Sequence, residues 1–513
     1  MEATPPKVSY LTLPHKSQLA ILCLARLADP LAQTSIQSYM FYQIRSFDPS
    51  ASDAQISTQA GILISAKTAA QVCTGMLWGR LADSGLGGRK LVLLIGLLSC
   101  CVTYLGYGLS KSVTAAVIWQ VLGGALSSNV AITRCVVAEL NPEKRFRTKA
   151  LLLLPLFANA GNLIGPLVGG LLSSNAENAS ASAHPYLGPN LFVSAIYFVA
   201  AVGVLVGLEE TLEGWNHAQE TYLQRLWKRI AGYFAGKGAL HHSYEAVGSE
   251  DPSSPLTTGP ALESATPQSQ FEKLPFWRMW TPNVLCTMLS HFIITGHLGT
   301  FTSLWAIFLS TPVGSTEQQQ LPLKFNGGLG MLPRHVGFVM ALLGAIGVVL
   351  QLIVYPVLQD RFGTLKIWRT SLLVFPVVYL FAPFPSLIAS TSTNTTPVTT
   401  VLVWLSVGFV VALFIIGRTG VTPATTLLIN DCTPHPSVRG TIHTAGTVIG
   451  NLSRSIFPVV ALVIFGRGLE IGYVGLAFWS LFGLAVLAYL ASAWVKEGSN
   501  GKEIVITDNR PRI

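Results

Sequence analysis

The sequence predicts an all-α membrane protein of twelve transmembrane helices, arranged as two pseudo-symmetric six-helix bundles. Three observations predict it. Half of the 513 residues are hydrophobic and only 11% are charged, and the mean hydropathy is positive, more apolar material than a single water-soluble core needs. The apolar residues are gathered into segments of about 20 residues or more, the length that crosses roughly 30 Å of hydrocarbon. Those segments form two sets of six around a polar stretch, and the sets echo each other.

The spans run over 18–43, 57–81, 91–109, 113–139, 150–173, 190–208, 282–310, 336–359, 367–389, 399–430, 440–465 and 471–495. The N-terminal tail, 1–17, is polar and has no apolar core, so the first span itself is expected to direct insertion. With both termini in the cytoplasm, the outer loops hold only Arg45, Lys111, Lys324, Arg334 and Arg467, and every other loop or tail cation lies inside. This is the positive-inside pattern. Together with contact to anionic lipid heads it accounts for the surplus of 33 basic over 24 acidic residues without any nucleic acid. The same topology puts the sequons at Asn178 and Asn394 outside, which predicts a glycoprotein of the plasma or vacuolar membrane. The 7 cysteines lie in spans or inside and show neither a disulfide framework nor metal-ligand spacing.

The N-terminal bundle is expected over 18–208, the C-terminal bundle over 282–495, a cytoplasmic linker over 209–281 and a cytoplasmic tail over 496–513. Early in the linker Leu223, Trp227, Ile230 and Phe234 share one helical face while Arg225, Lys228 and Arg229 lie off it, a pattern suited to the membrane surface. The Ser-, Thr- and Pro-rich stretch that follows predicts disorder.

The two bundles match at three points in the same order. "GILISAKTAAQVCTGMLWGRLAD" ends the second span at Asp83 as "GFVMALLGAIGVVLQLIVYPVLQD" ends the eighth at Asp360. Glu139 closes the fourth span eight residues before Arg147, and Asp431 closes the tenth eight residues before Arg439. "GNL" occurs in the fifth span at Gly161 and in the eleventh at Gly450. One duplicated six-helix unit explains all three, and duplicated halves build a binding site at their interface in many secondary transporters.

These residues carry a family resemblance. "GNLIGPLVGG", with Gly161, Gly165, Pro166, Gly169 and Gly170, resembles the fifth-helix signature of major facilitator superfamily antiporters of the twelve-span drug:proton class. "WGRLADSGLGGRK", with Gly79, Arg80, Asp83, Gly88, Arg89 and Lys90, is similar to that superfamily's loop between helices two and three, and "QDRFG", with Asp360, Arg361 and Gly363, to its echo between helices eight and nine. "RLADPLAQTSIQSYMF", "NVAITRCVVAEL" and "VRGTIHTAGTVIGNLSRSIFP" resemble the fungal and plant zinc-induced-facilitator-like branch. The resemblance implies two halves rocking about a central site, a gating role for the loop charges, and a sealing role for the fifth-helix signature. Two departures stand out: Ser84 follows Asp83 where the family has arginine, and Gln120 replaces the arginine common in the family's fourth helix, so a proton role for that arginine does not carry over.

The glycines have a physical reading of their own. Lipid gives little hydrophobic drive between helices, so close backbone approach through small residues holds them together. Gly161, Gly165 and Gly169 form one strip for such an approach, and Pro166 loosens the backbone hydrogen bond one turn earlier.

Charges inside spans are costly and mark cavities. Five cations, Arg26, Lys67, Arg134, Arg418 and Arg454, stand against one deep carboxylate, Asp29, with Glu139 at a span end. At 1.5 Å per residue Asp29 lies roughly 16 Å and Lys67 roughly 21 Å from the inner ends of adjacent helices, so they are placed to pair. Arg26 sits one turn from Asp29. Asp29 is therefore either a protonation switch or one member of a fixed Arg26–Asp29–Lys67 network. The excess of cations favours an anionic or zwitterionic solute. The histidines at 291, 297 and 443 lack neighbouring cysteine or carboxylate ligands, so no metal site is expected.

No hydrolase, kinase or dinucleotide fingerprint and no phosphate-binding loop is present, so neither an enzyme nor a cofactor is expected. The reading is a proton-coupled antiporter that exports or compartmentalises a small anionic or zwitterionic organic solute by alternating access. A monomer is compatible with every feature of the sequence. A multidrug exporter of lipophilic compounds and a receptor built on a transporter fold are the alternatives.

Overall fold

A computed structural model of the protein describes residues 13–84, 87–173, 184–212, 276–315, 319–320, 323–390, 397–435 and 438–498. The sequons, linker residues 213–275, and tail residues 1–12 and 499–513 lie outside these. Among the described residues eleven helices are long and apolar enough to cross a membrane, and Leu476–Ser492 is a shorter apolar helix.

The first half comprises α1 (Lys16–Phe47), α2 (Asp53–Ala82), α3 (Gly88–Gly108), α4 (Val113–Ala125), α5 (Asn129–Leu140), α6 (Lys144–Leu172) and α7 (Leu187–Gly207). The second comprises α8 (Pro282–Ser310), α9 (Pro333–Val349), α10 (Tyr355–Phe362), α11 (Thr364–Leu372), α12 (Val374–Phe381), α13 (Pro385–Ser390), α14 (Pro397–Asp431), α15 (Arg439–Ile471) and α16 (Leu476–Ser492). Three predicted spans are thus broken. The fourth divides into α4 and α5 after Gly123 and Gly124, which lie against the Thr103 hydroxyl and the Lys67 carbonyl. Weak helix formers at a close crossing give a break. The eighth divides at a π-helical turn, Leu350–Val354, between α9 and α10, and the ninth divides into α11, α12 and α13.

The halves meet along α2 with α15 and along α6 with α9. Gly61 of α2 packs against Pro458, Val459 and Leu462 of α15, and Gly466 of α15 against Ala54. Gly79 lies about five turns along α2 from Gly61, on the same face, yet a methyl group there would meet nothing within 4 Å. Met76 is 71% exposed, Leu77 64%, and Ile353 beside α10 65%. The two halves are therefore sealed at the end where α1 turns into α2 and parted at the end carrying the α2–α3 and α10–α11 connections. Each of those connections turns on a glycine with left-handed backbone, Gly88 at φ 72° and Gly363 at φ 77°, a conformation that favours glycine. The matched sequence motifs thus occupy matched turns.

Candidate functional site

In the first half four helices converge on Asp29. Its Oδ1 accepts from Lys67 Nζ of α2 at 3.2 Å and from the Tyr197 hydroxyl of α7 at 2.6 Å. Lys67 Nζ also donates to the Tyr104 hydroxyl of α3 at 3.1 Å, and the Tyr104 and Tyr197 rings stack with centroids 5.5 Å apart. The Lys67 and Asp29 side chains are 13% and 15% exposed. The predicted pair is brought together. The two phenols escaped sequence reasoning, because an aromatic in an apolar span reads as core and nothing in their spacing marks a ligand.

The arginines behave differently. Arg26 and Arg134 come from the first half and Arg418 and Arg454 from the second. Arg26 lies within electrostatic range of Asp29, Arg134 and Arg454, and Arg454 within range of Arg134 and Arg418. Among the described residues none of the four has a carboxylate within ion-pair distance. Arg454 reaches the Asn451 side chain of its own helix at 3.5 Å, and its stem passes over Gly299 of α8, where a methyl group would lie 3.5 Å from it. Arg134 and Arg454 are exposed and Arg26 and Arg418 half-buried, although all four sit inside spans.

At the parted end, Arg89 at the start of α3 pairs with Asp83 and, at 3.1 Å, with Glu139 of α5. Glu210, just beyond α7, accepts from the backbone N–H groups of Arg89 and Lys90 at 2.9 and 3.0 Å. This caps a helix whose own N-cap residue, Gly87, has no side chain to do so. Thr211 donates to Glu139 at 2.5 Å. Glu210 and Thr211 were not anticipated from sequence. Arg80 is exposed. In the second half Asp360 and Arg361 are exposed, and among the described residues neither makes an ion pair; Arg369 instead donates to the carbonyls of Ser492, Ala493 and Val495 at the end of α16.

The Major Facilitator Superfamily profile matches residues 22–458. The chain belongs to that superfamily. It is 28% identical to the "Major facilitator superfamily multidrug transporter mfsB" of Aspergillus fumigatus, over 94% of this chain and 83% of that one. It is 21% identical to the "Protein ZINC INDUCED FACILITATOR 1" of Arabidopsis thaliana, over 72% of this chain and 69% of that one. Among solved structures it resembles a D-xylose-proton symporter, with TM-score 0.62 and 12% identity over 95% of this chain and 99% of the other. This facilitator is a transporter, not an enzyme.

In this facilitator the fifth-helix signature is divided between two neighbours. Gly161, Gly165 and Gly169 lie against Leu27, Leu31, Thr34 and Ser35 of α1, within the same half, and Ser38 of α1 donates to the Pro166 carbonyl at 3.1 Å. Gly170, one position off the strip, faces Pro333 and Gly337 of α9 in the other half. Among the histidines, the His291 ring contacts the Gly446 carbonyl and Thr295, His297 the Tyr379 hydroxyl at 2.8 Å, and His443 the Asn430 side chain. Among the described residues no group of three or more His, Cys, Asp or Glu is placed to hold a metal ion.

Proposed function

We propose that this facilitator moves a small anionic or zwitterionic organic solute by alternating access, the cleft between its halves opening first at one end and then at the other. One observation carries the reading: four arginines, two from each half, form a chain in which Arg134 lies in range of Arg26 and Arg454, and Arg454 in range of Arg418, and among the described residues none of them makes an ion pair, while Asp29, the carboxylate nearest them, is already engaged by Lys67 and Tyr197. Unpaired charge inside a membrane is costly, and a bound anion relieves it. Arg26, Arg134, Arg418 and Arg454 are the proposed solute-binding residues. Asp29 is the proposed proton-coupling residue, since a proton on it loosens the Lys67 contact and so alters the first half. Asp83, Arg89 and Glu139 gate the parted end. The lysine and arginine bias supports cytoplasmic termini, which makes the parted end the cytoplasmic one.

A second reading, export of lipophilic drugs, is favoured by the 28% likeness to mfsB. A thermal-unfolding screen of the purified protein separates the two, because a ligand at about a hundred times its Kd stabilises the folded state by about 2.7 kcal/mol. Carboxylate-bearing compounds are expected to raise the melting temperature, and Arg134→Gln and Arg454→Gln to abolish the rise. Stabilisation by lipophilic cations alone, unchanged in both variants, decides for drug export.

A further inference from the structure

The seam between α6 and α9 has a repeat in it. Gly337, Gly344 and Gln351 recur every seven residues, about two helical turns, and so fall on one stripe of the eighth span. Gly337 rests on the Pro166 carbonyl and on Gly170, and a methyl group on Gly344 would sit 2.9 Å from Leu163 Cα. These are backbone-to-backbone contacts. At the third position the contact changes character: Gln351 Oε1 accepts from Asn159 Nδ2 at 2.8 Å. The stripe then ends, because Gln351 lies inside the π turn Leu350–Val354, and past the turn Val357 and Leu358 are exposed. Gln37 to Ser303 at 3.2 Å and Tyr42 to the Met331 carbonyl at 2.7 Å also cross between the halves. Both lie nearer the sealed end. The Asn159–Gln351 pair lies farther from the sealed end than either, one carboxamide from each half, and it coincides with the π turn in the span that carries it.

We propose that the Asn159–Gln351 pair is the latch of the sealed end. The glycine contacts bring α6 and α9 together but are indifferent to small sliding; the paired carboxamides fix the depth at which the seal stops. The π turn ends the regular helix at that depth, so α10 diverges from α6 without dragging Gln351 off the seam. π turns inside helices recur at functional positions for this kind of reason. Since the hydrogen bond joins the two halves, it exists only while the seam is closed, and its loss favours the state open at the opposite end. Asn159 and Gln351 are positioning residues for the conformational step, and the inference does not depend on which solute is carried.

Hydrogen–deuterium exchange of the full-length protein in nanodiscs tests this with no ligand. Asn159→Ala and Gln351→Ala are each expected to raise exchange roughly three- to tenfold, the weight of one hydrogen bond. The rise is expected along the α6–α9 seam and also at the remote α2–α15 seam, in residues 53–61 and 458–466, because the two seams open together. The double variant should match the singles, and the exchanged pair Asn159→Gln with Gln351→Asn should return exchange toward that of the natural protein. A rise confined to residues flanking 159 and 351, single effects that add, or an exchanged pair that restores nothing would each overturn the proposal. Gel filtration and the melting temperature of the exchanged pair separate these outcomes from misfolding.

Discussion

The two halves share one plan but not one chemistry. Where the first half gathers Asp29, Lys67, Tyr104 and Tyr197 from α1, α2, α3 and α7, the second sets His297 of α8 against Tyr379 of α12 at 2.8 Å. The histidine ring lies among Phe375, Tyr379 and, next to them, Phe301 and Phe414. Both centres have a member on the leading helix of their half and a tyrosine on the third span, but His297 touches Tyr379 directly whereas Asp29 is joined to Tyr104 through Lys67 and bonds Tyr197 of the sixth span. One is an ion pair with two phenol ligands; the other is a neutral contact in an aromatic core. The two centres thus differ in chemistry on a shared scaffold, with the buried ion pair in the first half and the histidine–phenol contact in the second.

The largest expected effect breaks this comparison at its charged member. Lys67→Met leaves the Asp29 carboxylate buried without its cation, and stranding one partner of a buried pair costs about 3–5 kcal/mol. Asp29→Asn added to Lys67→Met removes the stranded charge and is expected to recover most of that loss in thermal unfolding. His297→Phe strands no charge and is expected to cost much less. Equal losses from Lys67→Met and His297→Phe would mean that the halves are alike after all.

The phenols sharpen the comparison with a smaller effect. Tyr197→Phe deletes a hydrogen bond to a carboxylate, worth about 1.5–3 kcal/mol, whereas Tyr379→Phe deletes one to a neutral ring, worth about 0.5–1.5 kcal/mol. Denaturation of the two variants side by side, with matched removal of one oxygen each, is the check. A Tyr379→Phe loss that exceeds that of Tyr197→Phe would put the more consequential polar centre in the second half.

What was legible in the sequence follows the same division. Hydrophobic runs and the lysine and arginine bias are set by the bilayer, a solvent with known thickness, so the twelve apolar segments could be read off directly. Asp29 and Lys67 could be matched because a buried charge demands a partner and the rise per residue gives depth. Tyr104 and Tyr197 could not, since nothing in their spacing separates a ligand from a core aromatic. The glycine strip announced a close approach but not its partner: it is α1 of the same half that fills it, with Gly170 left to meet α9. The breaks at Ala125–Asn129 and Leu350–Val354 were also hidden, because hydropathy alone cannot tell one long helix from two collinear pieces. Cross-half ties such as Asn159 to Gln351 depend on how the halves dock, which no local pattern encodes.

The smallest expected effect lies in the two matched loops. Asp83 pairs with Arg89, which Glu139 also holds, while Asp360 stands at the matched position, exposed and without an ion pair among the described residues. Asp83 is 65% exposed, so solvent screens most of its attraction, and Asp83→Asn is expected to cost no more than about 1 kcal/mol. Asp360→Asn is expected to leave the melting temperature unchanged. The difference should shrink in high salt, as it does for exposed pairs. If Asp360→Asn were instead the more damaging, the second loop would hold a partner in solution that the first lacks, and the asymmetry between the halves would reverse at this end while persisting in the core.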